Sequence, residues 1–130
     1  SVSRGSKTAE NILQTKCFGV NFVDSSIVRK AYTCIKWHGR ERIQKTGLTF
    51  LKAGKIKAPL INECKAHLEC SLHSVNKLFI FFGRIENALI WDKILKAKAE
   101  NRYELLDQIL FLEDKIYSRI NSIIKFRTSE

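Results

Sequence analysis

Several features are scarce in this sequence, and each scarcity excludes a class of protein. The 130 residues include one proline and six glycines, so the chain is neither a low-complexity nor a disordered segment. Its longest purely apolar run, residues 78–82, is far shorter than the roughly 20 residues of a membrane-spanning helix. The 130 residues contain no secretory signal and no lipidation motif. We therefore expect a cytoplasmic protein that makes no membrane contact.

Methionine is absent, and position 1 is a serine. We therefore expect that residues have been removed upstream of this chain. Cysteine occurs four times, at Cys17, Cys34, Cys64 and Cys70. Without an export signal, reduced core thiols are expected rather than a disulfide framework.

Acidic residues are outnumbered, with 13 Asp and Glu against 23 Lys and Arg, which gives a net charge of +10. Such a balance is typical of a protein with an anionic partner, such as a nucleic acid, a phosphate-bearing cofactor or a membrane surface. It is equally typical of a lysine-rich proteome. The lysines are spread along the chain without a basic block of five or more, so charge alone does not predict nucleic-acid binding.

The stretch ECKAHLECSLH, residues 63–73, resembles a metal site because cysteines and histidines alternate in it at a spacing of three. From Ala66, however, apolar and polar residues alternate strictly, which predicts a strand with one buried face. In that strand Cys70 faces the core while His67 and His73 face away from it. Two cysteines and two histidines so arranged cannot converge on one zinc ion, and we predict no metal site.

The remaining pattern predicts strands with short helices between them. Ser6 is a helix N-cap, and we expect helices over residues 7–16, 27–37, 40–46 and 101–109. We expect strands over residues 17–23, 48–51 and 78–90, with the first half of the last strand buried on both faces, and an extended tail over residues 116–126. Gly83 indicates either a bulge or a close approach by another group. This mixture favours a β-barrel with peripheral helices.

Residues 57–72, KAPLINECKAHLECSL, closely resemble the flavin reductase-like, FMN-binding split-barrel family, whose members characteristically read APLI-x-ECPA-x-LEC-x-L here. Lys65 stands where the family often has proline. Three more blocks occur in the family's order: residues 2–12, the F-x-V-N pattern at 18–21, and residues 41–49, which are similar to DKF-x-x-x-G-L-T. The stretch 117–120 is like the family's Y-x-R-L-G. The match covers nearly the whole chain.

The resemblance implies a mainly β fold with peripheral helices, a split β-barrel that forms one domain over residues 1–130 and lacks the family's N-terminal strands. It also implies a homodimer with FMN at the subunit interface. The phosphate would lie at the turn before the first helix, and a further basic residue would lie near the flavin. The residues carried over are Ser3, Arg4, Ser6, Lys7, Thr8 and Arg42.

Elementary chemistry agrees with that placement, because N–H groups at a helix N-terminus attract anions and basic side chains add charge. The alternative is an ordinary capped surface helix with scattered basic residues. The expected cofactor is FMN, with NAD(P)H as a co-substrate.

Three functions remain open from the sequence. The first is a flavin reductase-like oxidoreductase that transfers electrons from NAD(P)H to flavin. The second is an FMN-binding electron carrier without reductase activity, because Asn76-Lys77-Leu78 replaces a family histidine associated with nicotinamide handling. The third is a basic nucleic-acid-binding barrel. It requires exposed aromatic side chains interleaved with basic ones, and we do not expect it because Phe79, Phe81 and Phe82 have apolar neighbours.

Overall fold

The computed structural model describes residues 2–124, which form a mainly β protein with several short helices. The helices are α1 (Lys7–Thr15), α2 (Val28–Thr33), α3 (Gly39–Thr46), α4 (Asp92–Leu95) and α5 (Ala99–Leu106), with a 3-10 turn at Cys34–Lys36. The strands are β1 (Cys17–Asn21), β2 (Phe50–Leu51), β3 (Leu60–Ile61), β4 (Ala66–Val75), β5 (Phe81–Ile90), β6 (Ile109–Glu113) and β7 (Ile116–Arg119). Over residues 2–124 they pair antiparallel in three sheets, ordered β1–β4–β5, β2–β3 and β6–β7.

The first helix begins where the sequence predicts. Ser6 is the N-cap of α1, and its Oγ accepts a hydrogen bond from the Ala9 N–H at 3.2 Å. The helix ends at Lys16, which takes the left-handed conformation with φ 57°. Ala9 and Ile12 of this helix are buried, so its apolar face contributes to the core. The preceding residues Val2 and Ser3 form no strand.

Strand β4 lies at the centre of the largest sheet, which confirms the predicted strand from Ala66. The prediction that only one face of this strand is buried is wrong. His67 and Glu69 are as buried as Cys70 on the opposite face, and only the end of the strand from His73 is exposed. The reason is tertiary, because the chain around Gly54 lies over Glu69 while the Asn21 side chain contacts His67.

Strand β5 is less buried than its sequence predicts. Leu78 is 77% exposed and Phe82 is 49% exposed, so the apolar run at the start of this segment is not covered on both faces within residues 2–124. Gly83, in contrast, meets the expectation of a close approach. A Cβ atom at this position would lie 2.5 Å from Cζ of Phe18. Irregular pairing flanks it, between Leu72 and Ser74 of β4.

The end of the chain differs from the sequence prediction. Helix α5 stops at Leu106, and Asp107 follows in the left-handed conformation with φ 50°. Ile109 therefore begins strand β6 instead of ending a helix. Strands β6 and β7 form a hairpin, and residues 125–126 of the predicted tail lie outside the described residues.

Two findings concern the membrane-spanning helix and the metal site that the sequence analysis considered. Among residues 2–124, no helix is both long enough and apolar enough to cross a bilayer. Within the same residues, no group of three or more Cys, His, Asp and Glu side chains could hold a metal ion.

All four cysteines are free thiols. Burial raises the pKa of the Cys64 thiol to about 11, so this thiol is protonated and inert at neutral pH.

Candidate functional site

A cleft with a volume of about 1050 Å³ lies between the start of α1, helix α3 and the β2–β3 pair. Its charged and polar lining comes from both helices. Its apolar wall comes from side chains that are distant in sequence: Ile43, Leu48, Phe50, Pro59 and Ile61. A cleft with an apolar wall and polar groups at its rim is the usual form of a cofactor site.

Three of the six predicted binding residues line this cleft. They are Lys7 and Thr8, at the first turn of α1, and Arg42, in α3. The structure therefore brings together residues that are more than thirty positions apart. The other three, Ser3, Arg4 and Ser6, precede the helix and are not among the lining residues.

The start of α1 presents hydrogen-bond donors to the cleft. Ser6 accepts the N–H groups of Ala9, through Oγ, and of Glu10, through its carbonyl. The N–H groups of Lys7 and Thr8 belong to the first turn, which has no intrahelical acceptor for them. Lys7 Nζ adds a positive charge, and it lies 2.9 Å from Glu10 Oε2 in an exposed ion pair. This end of the cleft can bind an anion.

Arg4 points away from the cleft, although the sequence places it with the anion-binding residues. Its guanidinium lies 4.7 Å from the centre of the Phe79 ring, and Nη2 donates a hydrogen bond to the Lys77 carbonyl at 3.0 Å. The Val2 N–H also donates to the Phe79 carbonyl. Arg4 therefore ties the loop before α1 to the turn between β4 and β5, and its geometry gives it a positioning role.

Helix α3 holds Arg42 at the opposite side of the cleft. Its Nε donates to the Trp37 carbonyl at 3.0 Å, which leaves the other guanidinium N–H groups to face a ligand. The helix ends at Gly47, which has φ +64°. The Thr46 hydroxyl donates to the Arg42 carbonyl and accepts the Leu48 N–H. This turn fixes Leu48, which is part of the apolar wall.

The apolar wall at β3 is held by strand β1. The Asn21 side-chain oxygen accepts the Ile61 N–H at 2.8 Å and lies 3.0 Å from His67 Nδ1. Since the oxygen is an acceptor in both contacts, His67 carries its proton on Nδ1. Burial lowers the pKa of His67, and a hydrogen bond with the Cys64 backbone and the charge of nearby Glu69 oppose that shift only in part. The imidazole is therefore neutral and structural.

Glu63 and Lys65 of the ECKAHLECSLH stretch also have structural partners. Glu63 accepts the N–H and the hydroxyl of Thr49, beside β2. Lys65 Nζ lies 2.9 Å from the buried Asp24 carboxylate and donates to the Leu105 carbonyl. The stretch that resembles a metal site thus fastens loops to the central sheet.

Sequence reasoning missed several lining residues. Asn11 lies one turn after Lys7 and Thr8, so the helical repeat could have identified it. His38, Arg40 and Phe50 had no comparable signal, because only the tertiary fold brings them to the start of α1.

Three fixed cations, Lys7, Arg40 and Arg42, line the cleft, and the described residues that line it include no carboxylate.

Known proteins resemble this chain in sequence and in fold. Residues 1–107 match the family model described as flavin reductase like domain. An uncharacterized protein of Aquifex aeolicus (strain VF5) is 31% identical over 115 residues, which are 85% of this chain and 59% of that protein. This chain thus spans less than two thirds of that relative.

Solved structures share the fold. Flavoredoxin of Desulfovibrio vulgaris (Miyazaki F) superposes with a TM-score of 0.88 at 18% identity, over 99% of this chain and 72% of its own. The NADH:FAD oxidoreductase of Streptomyces globisporus C-1027 does so with a TM-score of 0.59 at 22% identity, over 71% of this chain and 57% of its own. At these identities the likeness is one of fold.

Proposed function

Since this chain belongs to the family of flavin reductase like domains, we propose that its cleft binds FMN and that the protein transfers electrons from NAD(P)H to flavin. The observation that supports this most directly is the composition of the cleft. Donors and cations at the start of α1 face the same space as an apolar wall. FMN has the matching two parts, a dianionic phosphate and a flat, largely apolar ring system.

The residues present fit the two parts of FMN. Lys7 and Thr8, with the N–H groups of the first turn of α1, would hold the phosphate, and Arg42 would add charge from α3. Leu48, Phe50, Pro59 and Ile61 would pack along the ring system and exclude water. Ser6 would act by capping the helix, and Ser3 and Arg4 by shaping the loop that precedes it.

A bound flavin would supply the redox chemistry itself, by accepting a hydride from a reduced nicotinamide. The protein's part is then to bind, orient and shield. The described lining of the cleft includes no carboxylate, so no carboxylate there serves as a general acid or base.

An electron carrier is the second candidate. The segment Asn76-Lys77-Leu78 forms the exposed turn between β4 and β5, where relatives often have a histidine linked to nicotinamide handling. The structural neighbour from D. vulgaris is a flavoredoxin. Reduction of the bound flavin by NADH or NADPH would support the reductase, whereas FMN binding without such reduction would support the carrier.

We also propose that two copies of the chain associate as a homodimer around the flavin, with their sheets arranged as a split barrel. The support is exposed apolar surface on β5 and on the β6–β7 hairpin, including Phe82, Ile85, Leu110, Phe111 and Leu112. A surface of this kind marks an interface in most proteins. Analytical ultracentrifugation should give a dimer mass, and a monomer at all concentrations would contradict the proposal.

The central experiment is titration of the protein with FMN, followed by flavin fluorescence. The Lys7→Ala and Thr8→Ala variants should each weaken FMN binding several-fold or more, because charge-assisted hydrogen bonds contribute about 1.5–3 kcal/mol each. Lys93→Ala, which removes an exposed lysine from α4 outside the cleft, is the matched control. No FMN uptake by the wild-type protein would overturn the proposed function, and unchanged affinity in both variants would overturn the placement of the phosphate.

A further inference from the structure

The cationic side chains of the cleft differ in the hydrogen bonds and ion pairs that they make within the protein. Lys7 is paired with Glu10, and Arg42 uses Nε to hold the Trp37 carbonyl. Arg40 also lines the cleft, and its side chain makes no hydrogen bond or ion pair with any residue of the described segment 2–124. Its guanidinium therefore retains all five N–H donors.

One cation of the cleft has no partner in the protein. A phosphomonoester carries a charge of about −2 at neutral pH, and it would be held by the N–H groups of the first turn of α1, by Lys7, whose charge Glu10 offsets in part, and by Arg42. Arg40 is the third cation of the lining, and no carboxylate in the described lining pairs with it. Because an arginine fork matches phosphate geometry, this residue is suited to a second phosphate group.

The cleft is also large for a site that holds one small molecule. At about 1050 Å³, its volume lies just above the roughly 300–1,000 Å³ that is typical of such a site. FMN placed against the apolar wall would leave space toward the rim, where Arg40 is exposed.

We propose, on the basis of the function proposed above, that this protein prefers the phosphorylated nicotinamide dinucleotide, NADP(H), and that Arg40 binds its 2′-phosphate. The 2′-phosphate is the one group that distinguishes NADP(H) from NAD(H). An arginine near the adenine ribose is a general means of accommodating it. Arg40 is then a specificity-determining residue, and the proposal requires nothing of it in hydride transfer.

The test is calorimetric titration of the FMN-loaded protein with NADP+ and, separately, with NAD+. These oxidised nucleotides report binding without turnover. We expect NADP+ to bind at least about tenfold more tightly, the order that one charge-assisted contact provides. Arg40→Gln should abolish the preference by weakening NADP+ alone, and Arg40→Lys should retain part of it. Lys36→Gln removes a nearby exposed charge that does not line the cleft, and it should leave the preference unchanged.

The other possible outcomes show whether this inference is wrong or whether the proposed function on which it rests is wrong. If FMN binds but NADP+ and NAD+ bind equally, or neither binds, the inference is wrong and the flavin site stands. If Arg40→Gln weakens both nucleotides alike, Arg40 contacts a group common to both, and the inference is again wrong. If FMN itself does not bind, the proposed function fails first.

Discussion

Glu69 is a single side chain that determines the position of a whole loop. It is fully buried in β4, and its carboxylate accepts the N–H groups of Gly54 and Lys55 and the side-chain amide of Asn87. Burial favours the neutral form, but these hydrogen bonds outweigh it and lower the pKa of Glu69. The ionised carboxylate therefore holds residues 54–55 against the sheet.

We expect Glu69→Ala to destabilise the protein strongly, by about 3 kcal/mol or more, since it removes a buried carboxylate that accepts three hydrogen bonds, and hydrogen bonds to a charged group contribute about 1.5–3 kcal/mol each. Glu69→Gln keeps the shape but loses the charge, and its effect should be intermediate. Urea denaturation measures both. Glu113→Gln, at an exposed position on β6, is the control and should change stability by no more than about 0.5 kcal/mol. A similarly small loss for Glu69→Ala would contradict the role assigned to this carboxylate.

Gly83 is required because the Phe18 ring occupies the space where a side chain would begin. Gly83→Ala should destabilise the protein by about 1–3 kcal/mol, the usual cost of overpacking. Gly54→Ala is the control, because its Cβ would meet its nearest atom at 3.8 Å. In thermal denaturation, the double variant Phe18→Leu/Gly83→Ala should lose less stability than the sum of the single variants. Simple additivity would show that the two positions do not clash.

At the scale of elements, the β6–β7 hairpin is attached to the rest of the molecule by few polar contacts. Asp107 accepts a hydrogen bond from Arg119 Nε at 2.8 Å and others from the N–H and hydroxyl of Ser25. The Tyr32 hydroxyl donates to Asp114 in the turn. Burial tends to raise the pKa of Asp107, but the hydrogen bonds from Ser25 and Arg119 prevail and lower it.

We therefore expect Asp107→Asn to release the hairpin while the central sheet stays folded. Asparagine tolerates the left-handed backbone at this position, so the change mainly removes charge. Hydrogen exchange should accelerate in residues 109–119 and stay unchanged in β4. Asp92→Asn, which loses only an exposed ion pair with Lys96, should leave the hairpin protected. Equal protection of the hairpin in both variants would contradict this account of its attachment.

For the molecule as a whole, four side chains with lowered pKa values make the free energy of unfolding decrease as the pH falls. His67 has a pKa below its ordinary value of 6.5, and the pKa values of Asp24, Glu69 and Asp107 lie below ordinary values of 3.8 to 4.5. In each case the unfolded chain takes up protons at a higher pH than the folded one. Protonation therefore favours unfolding below those ordinary values.

Urea denaturation across pH should therefore show two stages. Stability should fall first below about pH 6.5, through His67, and then more steeply below about pH 4.5, through the carboxylates. His67→Gln should abolish the first stage and leave the second. A first stage that persists in this variant would assign it to another group.

Much of the fold follows from local features of the sequence. Ser6 and Gly47 mark helix ends because one is a capping residue and the other adopts a left-handed backbone without strain. The alternation from Ala66 identifies β4, since successive side chains of a strand point to opposite faces. The motif blocks, likewise local, indicate the family that the comparisons show.

Only the tertiary structure decided what lies against each face. The sequence identified β4 but not the segment near Gly54 that covers Glu69, and it grouped Arg4 with Lys7 although Phe79 holds Arg4 elsewhere. It also gave no sign that Arg40 and Phe50 would face the start of α1. The physical reason is common to all three. Periodicity and capping depend on neighbours along the chain, whereas burial and the shape of a cleft depend on residues that only folding brings together.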